Sequence, residues 1–274
     1  MSSLLKAIAV LNTFSPDQPE LKIADISLRL GIPVPTSYRI LATLTKAGLL
    51  EKKSDKSTYV IGRTLYTVGS LYLITTDLFQ AAAPVLQAIN SITDEATNVC
   101  ILDDNGYIIR LLREESKHAL RHVVHVGSAS PAYANAAGKA LLSVLIDEEI
   151  DRLYPEEKLK QLTSKTVPTK TELKRELQQV RENDYAFISE QAYVGVDAFA
   201  SLIRNASGSV IAAATIAVPI ARMNEEKRKI FASLVRIEAG IISYRLGYQD
   251  RDQQIHQIAD LYTWWQQNQP DEVL

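Results

Sequence analysis

Ile23-Ala24-Asp25-Ile26-Ser27-Leu28-Arg29-Leu30-Gly31-Ile32-Pro33-Val34-Pro35-Thr36-Ser37-Tyr38-Arg39-Ile40-Leu41 is the stretch on which the fold turns. Ile23, Ile26 and Leu30 repeat at helical spacing, and Gly31 follows where a helix ends in a left-handed residue. Pro33 and Pro35 reset the chain before a third helix that runs to about Ala47-Gly48. Two helices around a tight glycine-bearing turn are the mark of a helix-turn-helix. Upstream, Leu4, Leu5, Ile8, Leu11 and Phe14 predict a first helix, broken at Ser15-Pro16-Asp17. Downstream, Leu49 to Lys53, a Ser54-Asp55-Lys56 turn and Ser57 to Ile61 predict a two-stranded wing.

Charge singles out the same region. Residues 1–65 carry nine Lys or Arg against five Asp or Glu, a local +4 in a chain whose formal charge is -2, so the remainder carries -6. A basic end joined to an acidic larger part suggests that the first part faces an anionic partner. The 274 residues, 46% hydrophobic and 23% charged, exclude a disordered or low-complexity chain and favour two domains. Cys100 is the single cysteine, which excludes a disulfide framework and any paired-cysteine module. Met1-Ser2-Ser3-Leu4 lacks a basic n-region and a cleavage site, and the longest apolar run, Val210 to Ala221, is too short to span a bilayer. A cytoplasmic protein with no membrane contact is expected.

Beyond Arg63 the pattern is helical to about Ala96, with a break near Thr75-Thr76-Asp77. Thr97 to Leu102, Tyr107 to Leu112 and Leu120 to Val126 read as strands, the first two joined by Asp103-Asp104-Asn105-Gly106. Helices are expected from Gly138, over Asp147 to Leu153 and over Glu172 to Glu182. Strands follow at Tyr185 to Ser189, Ala198 to Arg204 and Val210 to Val218, then a helix from Asn224 to about Leu246. This order predicts an α+β domain with an antiparallel sheet. A tail helix with Ile255, Ile258, Tyr262 and Trp265 on one side is expected to pack on this domain or on another subunit.

In the third helix Thr36, Arg39, Thr43 and Lys46 fall on one stripe, while Tyr38, Leu41 and Leu44 are expected to pack inward. Alone, such a stripe is an ordinary solvated face. With the turn before it, the Lys52, Lys53 and Lys56 wing after it and the local +4, it fits a major groove and its phosphates.

Ser3 to Leu11, Ile23 to Pro33, Thr36 to Leu41 and Leu44 to Gly48 together resemble the IclR family of bacterial transcription regulators. Pro131-Ala132-Tyr133-Ala134-Asn135-Ala136-Ala137-Gly138-Lys139-Ala140-Leu141-Leu142, Gly195 to Ala200 and Val210 to Pro219 are similar to that family's ligand-domain segments, so the likeness runs over residues 3 to 248. It implies a winged helix-turn-helix at 1–62, a linker helix at 63–76, a GAF/profilin-like effector-binding and oligomerisation domain at 77–248, and a C-terminal helical tail at 249–274. It further implies a ligand-responsive regulator, a repressor by family habit, with double-stranded operator DNA, a small organic acid effector and a homodimer or tetramer as partners. No cofactor, metal or catalytic residue is implied. Thr36, Ser37, Tyr38, Arg39, Thr43, Lys46, Lys52, Lys53 and Lys56 become the candidate DNA-binding residues. Asn135, Ala136, Ala137, Gly138, Glu190, Asp197, Ala198 and Thr215 become the candidate effector-binding residues, the first four at a helix start whose free N–H groups favour an anion.

The chain departs from the family pattern in places. Val34-Pro35-Thr36 stands where Lys-Ser-Thr is common, and Ala198 and Leu202 where a cysteine and a proline are usual. A usual acidic run is reduced to Ser189-Glu190, and Thr215 and Ala217 replace serines. A less polar pocket, or a different ligand, is expected. The alternative class is a small-molecule-binding enzyme or carrier that uses its N-terminal domain to dimerise. The residues give it little: Gly138-Lys139 fails as a phosphate loop because Tyr133 and Ala140 occupy required positions, His122 and His125 fall on opposite faces of the expected strand, and the pair His118 and His122 lacks a third metal ligand.

Overall fold

The computed structural model describes residues 2–54, 57–249 and 255–270. They form two compact units, Met1–Thr76 and Asp77–Leu274.

The first unit runs α1 (Ser3–Leu11), β1 (Glu20–Lys22), α2 (Ile23–Leu30), α3 (Val34–Lys46), β2 (Leu50–Lys52), β3 (Thr58–Ile61) and α4 (Arg63–Thr75). Gly31 ends α2 at φ +62°, and the Ile32 N–H closes the turn on the Ser27 carbonyl at 3.1 Å. Val10, Leu21, Ile26, Leu41, Leu44, Leu50 and Tyr59 form one buried cluster that locks the helices to the wing. The wing has a third strand: β1 pairs antiparallel with β3, Leu21 opposite Tyr59. Three residues are too few to display an alternating pattern, so β1 leaves no signal in the sequence. Tyr38 is exposed, against expectation, because Ser37, Leu41 and Leu44 occupy the inward face and Tyr38 lies about 100° round from Ser37.

The second unit runs α5 (Asp77–Thr93), β4 (Ala96–Leu102), β5 (Tyr107–Glu114), β6 (Ala129–Pro131), α6 (Ala136–Leu142), α7 (Asp147–Leu153), α8 (Lys170–Asn183), β7 (Ala186–Ser189), β8 (Val196–Arg204), β9 (Val210–Pro219), α9 (Glu225–Arg245) and α10 (Ile258–Asn268). The sheet is antiparallel in the order β6-β5-β4-β9-β8-β7. Strand periodicity sorts its residues between two layers. Val99, Phe199, Ile203, Ala212, Ala214, Ile216 and Val218 face α5 and α9, whereas Cys100, Ala200 and Ala213 face α6 and its neighbours.

Leu120 to Val126 is irregular, not a strand. Its backbone is held by guanidinium groups: Arg113 donates to the His122 carbonyl at 2.7 Å and Arg222 to the Leu120 carbonyl at 3.0 Å. The tail helix α10 packs on α5 and α9. Leu261 is its buried residue, with Ile258, Trp264 and Trp265 beside it against the core, while Tyr262 is exposed and hydrogen-bonds through its hydroxyl to Ser91 at 3.1 Å. Among the described residues no helix is long and apolar enough to cross a membrane.

Candidate nucleic-acid face and ligand cavity

On α3, Arg39, Thr43 and Lys46 are exposed and Thr36 is half-buried, forming one stripe. Ser37 lies elsewhere. It is fully buried and its hydroxyl donates to the Ile32 carbonyl at 3.5 Å, so it belongs to the turn and has no route to a groove. Tyr38 is 55% exposed, and Lys52 of the wing sits with its Nζ 5.7 Å from the Tyr38 ring and 5.1 Å from the Tyr59 ring. That contact holds the base of the wing beside α3. Lys53 is exposed but ion-paired with Glu20, which cancels much of its charge, and Lys56 lies outside the described residues.

In the second unit, the sheet face beneath α6 opens into a cavity of about 50 Å³. Asn98 and Cys100 from β4, Ile108, Arg110 and Arg113 from β5, Ala198 from β8 and Thr215 and Ala217 from β9 point into it. Asn135, Ala136 and Ala137 close one side, and His122, Val124 and Tyr193 another. A polar chain is fixed in its wall: Arg113 donates to Asn98 Oδ1 at 2.7 Å, and the Asn98 amide donates to Thr215 Oγ1 at 2.9 Å. Arg113 is also paired with Glu115 at 2.7 Å. Arg110 differs. It is 6% exposed, its guanidinium donates to Ser128 Oγ at 3.0 Å, and it has no carboxylate partner among the described residues. Burial pushes the Cys100 thiol up to about 11, so the thiol stays protonated. Burial, and then the charges of Arg113 and Arg110, push His122 down to about 4, so the imidazole is neutral.

Residues 70–244 match the family profile described as bacterial transcriptional regulator IclR C-terminal, and residues 3–54 match the IclR helix-turn-helix domain. The chain belongs to the IclR family. It is 32% identical over 245 residues to the HTH-type transcriptional repressor AllR of Escherichia coli K12, spanning 89% of this chain and 90% of that one. Its fold is like that of an IclR-type regulator from a Silicibacter species, at TM-score 0.81, 20% identity and coverage of 92% and 98%. An IclR homologue from Microbacterium hydrocarbonoxydans, solved with 4-hydroxybenzoate, is similar at TM-score 0.77 and 24% identity, with 89% and 99% covered.

In this IclR-family chain, five of the eight residues named from sequence for the effector meet at the cavity: Asn135, Ala136, Ala137, Ala198 and Thr215. Three do not. Asp197 is one residue from Ala198 on a strand and therefore faces the other layer, where Arg228 of α9 pairs with it at 3.0 Å. Glu190 sits in a turn at φ +56°, accepts from the Gly195 N–H at 2.9 Å and is bound to Lys165. Gly138 packs against the chain: a Cβ there would lie 2.0 Å from the Ala132 carbonyl oxygen, so glycine lets α6 sit on that turn. Ala198 and Ala217 supply no polar side-chain atom, and the cavity's polarity comes from Arg110 and Arg113 of β5 together with Asn98, Thr215, Asn135 and His122. Arg110 and Arg113 are, with Asn98, His122 and Tyr193, cavity residues that the sequence did not single out for the effector. Arg110 had a signal, a guanidinium two residues from apolar Ile108 on one face of the expected strand, whereas Arg113 lay beyond that strand's expected end at Leu112.

Proposed function

We propose that this chain is a repressor that holds duplex operator DNA through the exposed α3 stripe and the wing, and whose DNA affinity changes when a small organic acid enters the Arg110 cavity. The observation that carries the acid reading is the buried Arg110 guanidinium, which faces a cavity without a carboxylate to balance it. A buried cation without a counter-charge is costly, and an anionic ligand removes that cost. The relative named AllR is a repressor and the Microbacterium homologue was solved with an aromatic acid, and both support the class. A cavity of about 50 Å³ lined by two arginines suits compact acids.

The chain acts as a homodimer or a dimer of dimers, because reading two successive major grooves takes two copies of α3 about 34 Å apart. Leu4, Leu5 and Ile8 of α1 and Tyr66, Val68, Leu71 and Tyr72 of α4 are exposed apolar residues that a second copy would cover. The chain is not an enzyme in this reading: the cavity binds its ligand, and its one thiol, Cys100, is held protonated and is therefore a poor nucleophile.

The test is thermal unfolding with small carboxylates. The wild-type midpoint rises with acid concentration as binding linkage requires, and Arg110→Met abolishes the rise while the protein stays folded. An undiminished rise in Arg110→Met removes the guanidinium from the account.

A further inference from the structure

One buried polar atom of the cavity wall is left without a hydrogen-bond partner among the described residues. His122 Nε2 is buried and makes no hydrogen bond among the described residues. The residue is nonetheless fixed: its carbonyl takes the Arg113 guanidinium at 2.7 Å, and its ring lies on Tyr193 with centroids 4.0 Å apart. The groups that face it are Arg110 and Arg113 from β5, the Cys100 thiol from β4, Tyr193 from the segment before β8, and Glu115 beyond Arg113. Burial, and then the charges of Arg113 and Arg110, hold the imidazole neutral, and those charges favour the tautomer whose lone pair faces them. Nε2 is then a buried acceptor, and four of the five guanidinium N–H groups of Arg113 are already engaged, by Glu115, Asn98 and the His122 carbonyl.

Charge decides what completes the site. Arg113 is paired with Glu115, so Arg110 is the cation of the cavity wall that one carboxylate would balance. A second carboxylate would meet a neutral ring with a lone pair and be repelled. A hydroxyl or N–H would satisfy that lone pair. Resting on the acid-binding reading above, we propose that His122 is a specificity-determining residue: its Nε2 accepts a hydrogen bond from the ligand, so the cavity takes a small carboxylate that carries a neighbouring hydroxyl or N–H in preference to the plain carboxylate. A site built to bond such a donor discriminates strongly against the analogue that lacks it, because the buried acceptor is then left unpaired.

Calorimetric titration of the full-length protein with two matched pairs, glycolate against acetate and lactate against propionate, tests this. The wild type binds each hydroxy acid at least ten-fold more tightly than its partner. His122→Phe, which keeps a ring on Tyr193 but removes the acceptor, reduces the preference to two-fold or less; His122→Gln, which restores an acceptor, recovers part of it. Should the phenylalanine variant not fold, the wild-type His122 Nε2 nitrogen resonance decides, moving upfield with lactate and not with propionate. Equal affinity within each pair, or a preference that survives in His122→Phe, overturns the role of His122 and leaves the acid reading standing. Binding of none of the four acids to the wild type overturns both.

Discussion

At the scale of single residues, the buried titratable groups set how stability follows pH. Glu238 on α9 is fully buried; its carboxyl accepts from the Thr97 hydroxyl through one oxygen, and the other has no partner among the described residues. Burial pushes it up to about 8 from an ordinary 4.5, against the lowering effect of Thr97. The folded chain therefore holds a proton that the unfolded chain loses, and this contribution is complete below about 4.5 and is lost as pH rises to about 8. His122, pushed down to about 4 from 6.5, works in the other direction: its contribution is present above about 6.5 and is lost as pH falls toward 4. Above pH 6.5 only Glu238 of the two acts. Urea unfolding at pH 6.5 and 8 is expected to show wild-type stability falling over this interval and a smaller fall in Glu238→Gln, whereas parallel declines would remove Glu238 from the explanation. Residue chemistry was unevenly legible. Helix-capping Gly31 could be read from its neighbours, but the ion pairs of Asp197 with Arg228 and of Glu190 with Lys165 join residues with no pattern linking them in sequence. Asp197 was still avoidable as a cavity residue, since strand alternation separates it from Ala198.

At the scale of elements, long periodic segments were legible and short or irregular ones were not. The helices α1 to α5, α9 and α10 repeat apolar residues at helical spacing, and their positions follow from it. The strand β1 is three residues long, and Leu120 to Val126 mimics a strand while its carbonyls are taken by Arg113 and Arg222. The same local wiring ranks the wing lysines. Lys53 is neutralised by Glu20, whereas Lys52 rests on the Tyr38 and Tyr59 rings with its charge unpaired by any described carboxylate. Lys52→Ala is therefore expected to weaken DNA binding and lower the salt slope by about 1, with Lys53→Ala having the smaller effect. On α3, Arg39→Ala is expected to cost about 1–3 kcal/mol of DNA affinity, and Ser37→Thr to act on stability of the buried turn. Anisotropy titrations over a salt series measure the first three, and equal losses for Lys52 and Lys53 would contradict the ranking.

At the scale of the whole molecule, the chain joins a basic first unit that carries α3 to a second unit whose sheet buries arginines beneath α6. The tail helix adds to the second unit: Leu261 is fully buried and the two tryptophans, Trp264 and Trp265, pack on the same core. Leu261→Ala is expected to destabilise this unit by about 2–5 kcal/mol, read by tryptophan fluorescence during urea unfolding. Removal of residues 250–274 is expected to lower the thermal midpoint and leave the number of subunits unchanged, since the apolar side of α10 is already used within its own unit; an oligomer of fewer subunits would assign the helix to a subunit contact. An acid can shift DNA affinity only by the difference between its affinities for the DNA-competent and incompetent forms, commonly about 1–3 kcal/mol, or roughly 5- to 150-fold. The most direct test is fluorescence anisotropy of the protein on the duplex upstream of its own gene and on a scrambled duplex, with and without lactate, for the wild type and Arg110→Met. The account predicts tight, salt-sensitive binding to the upstream duplex that lactate changes at least five-fold in the wild type and not in Arg110→Met; equal weak binding to both duplexes, or a lactate response that Arg110→Met retains, would contradict it.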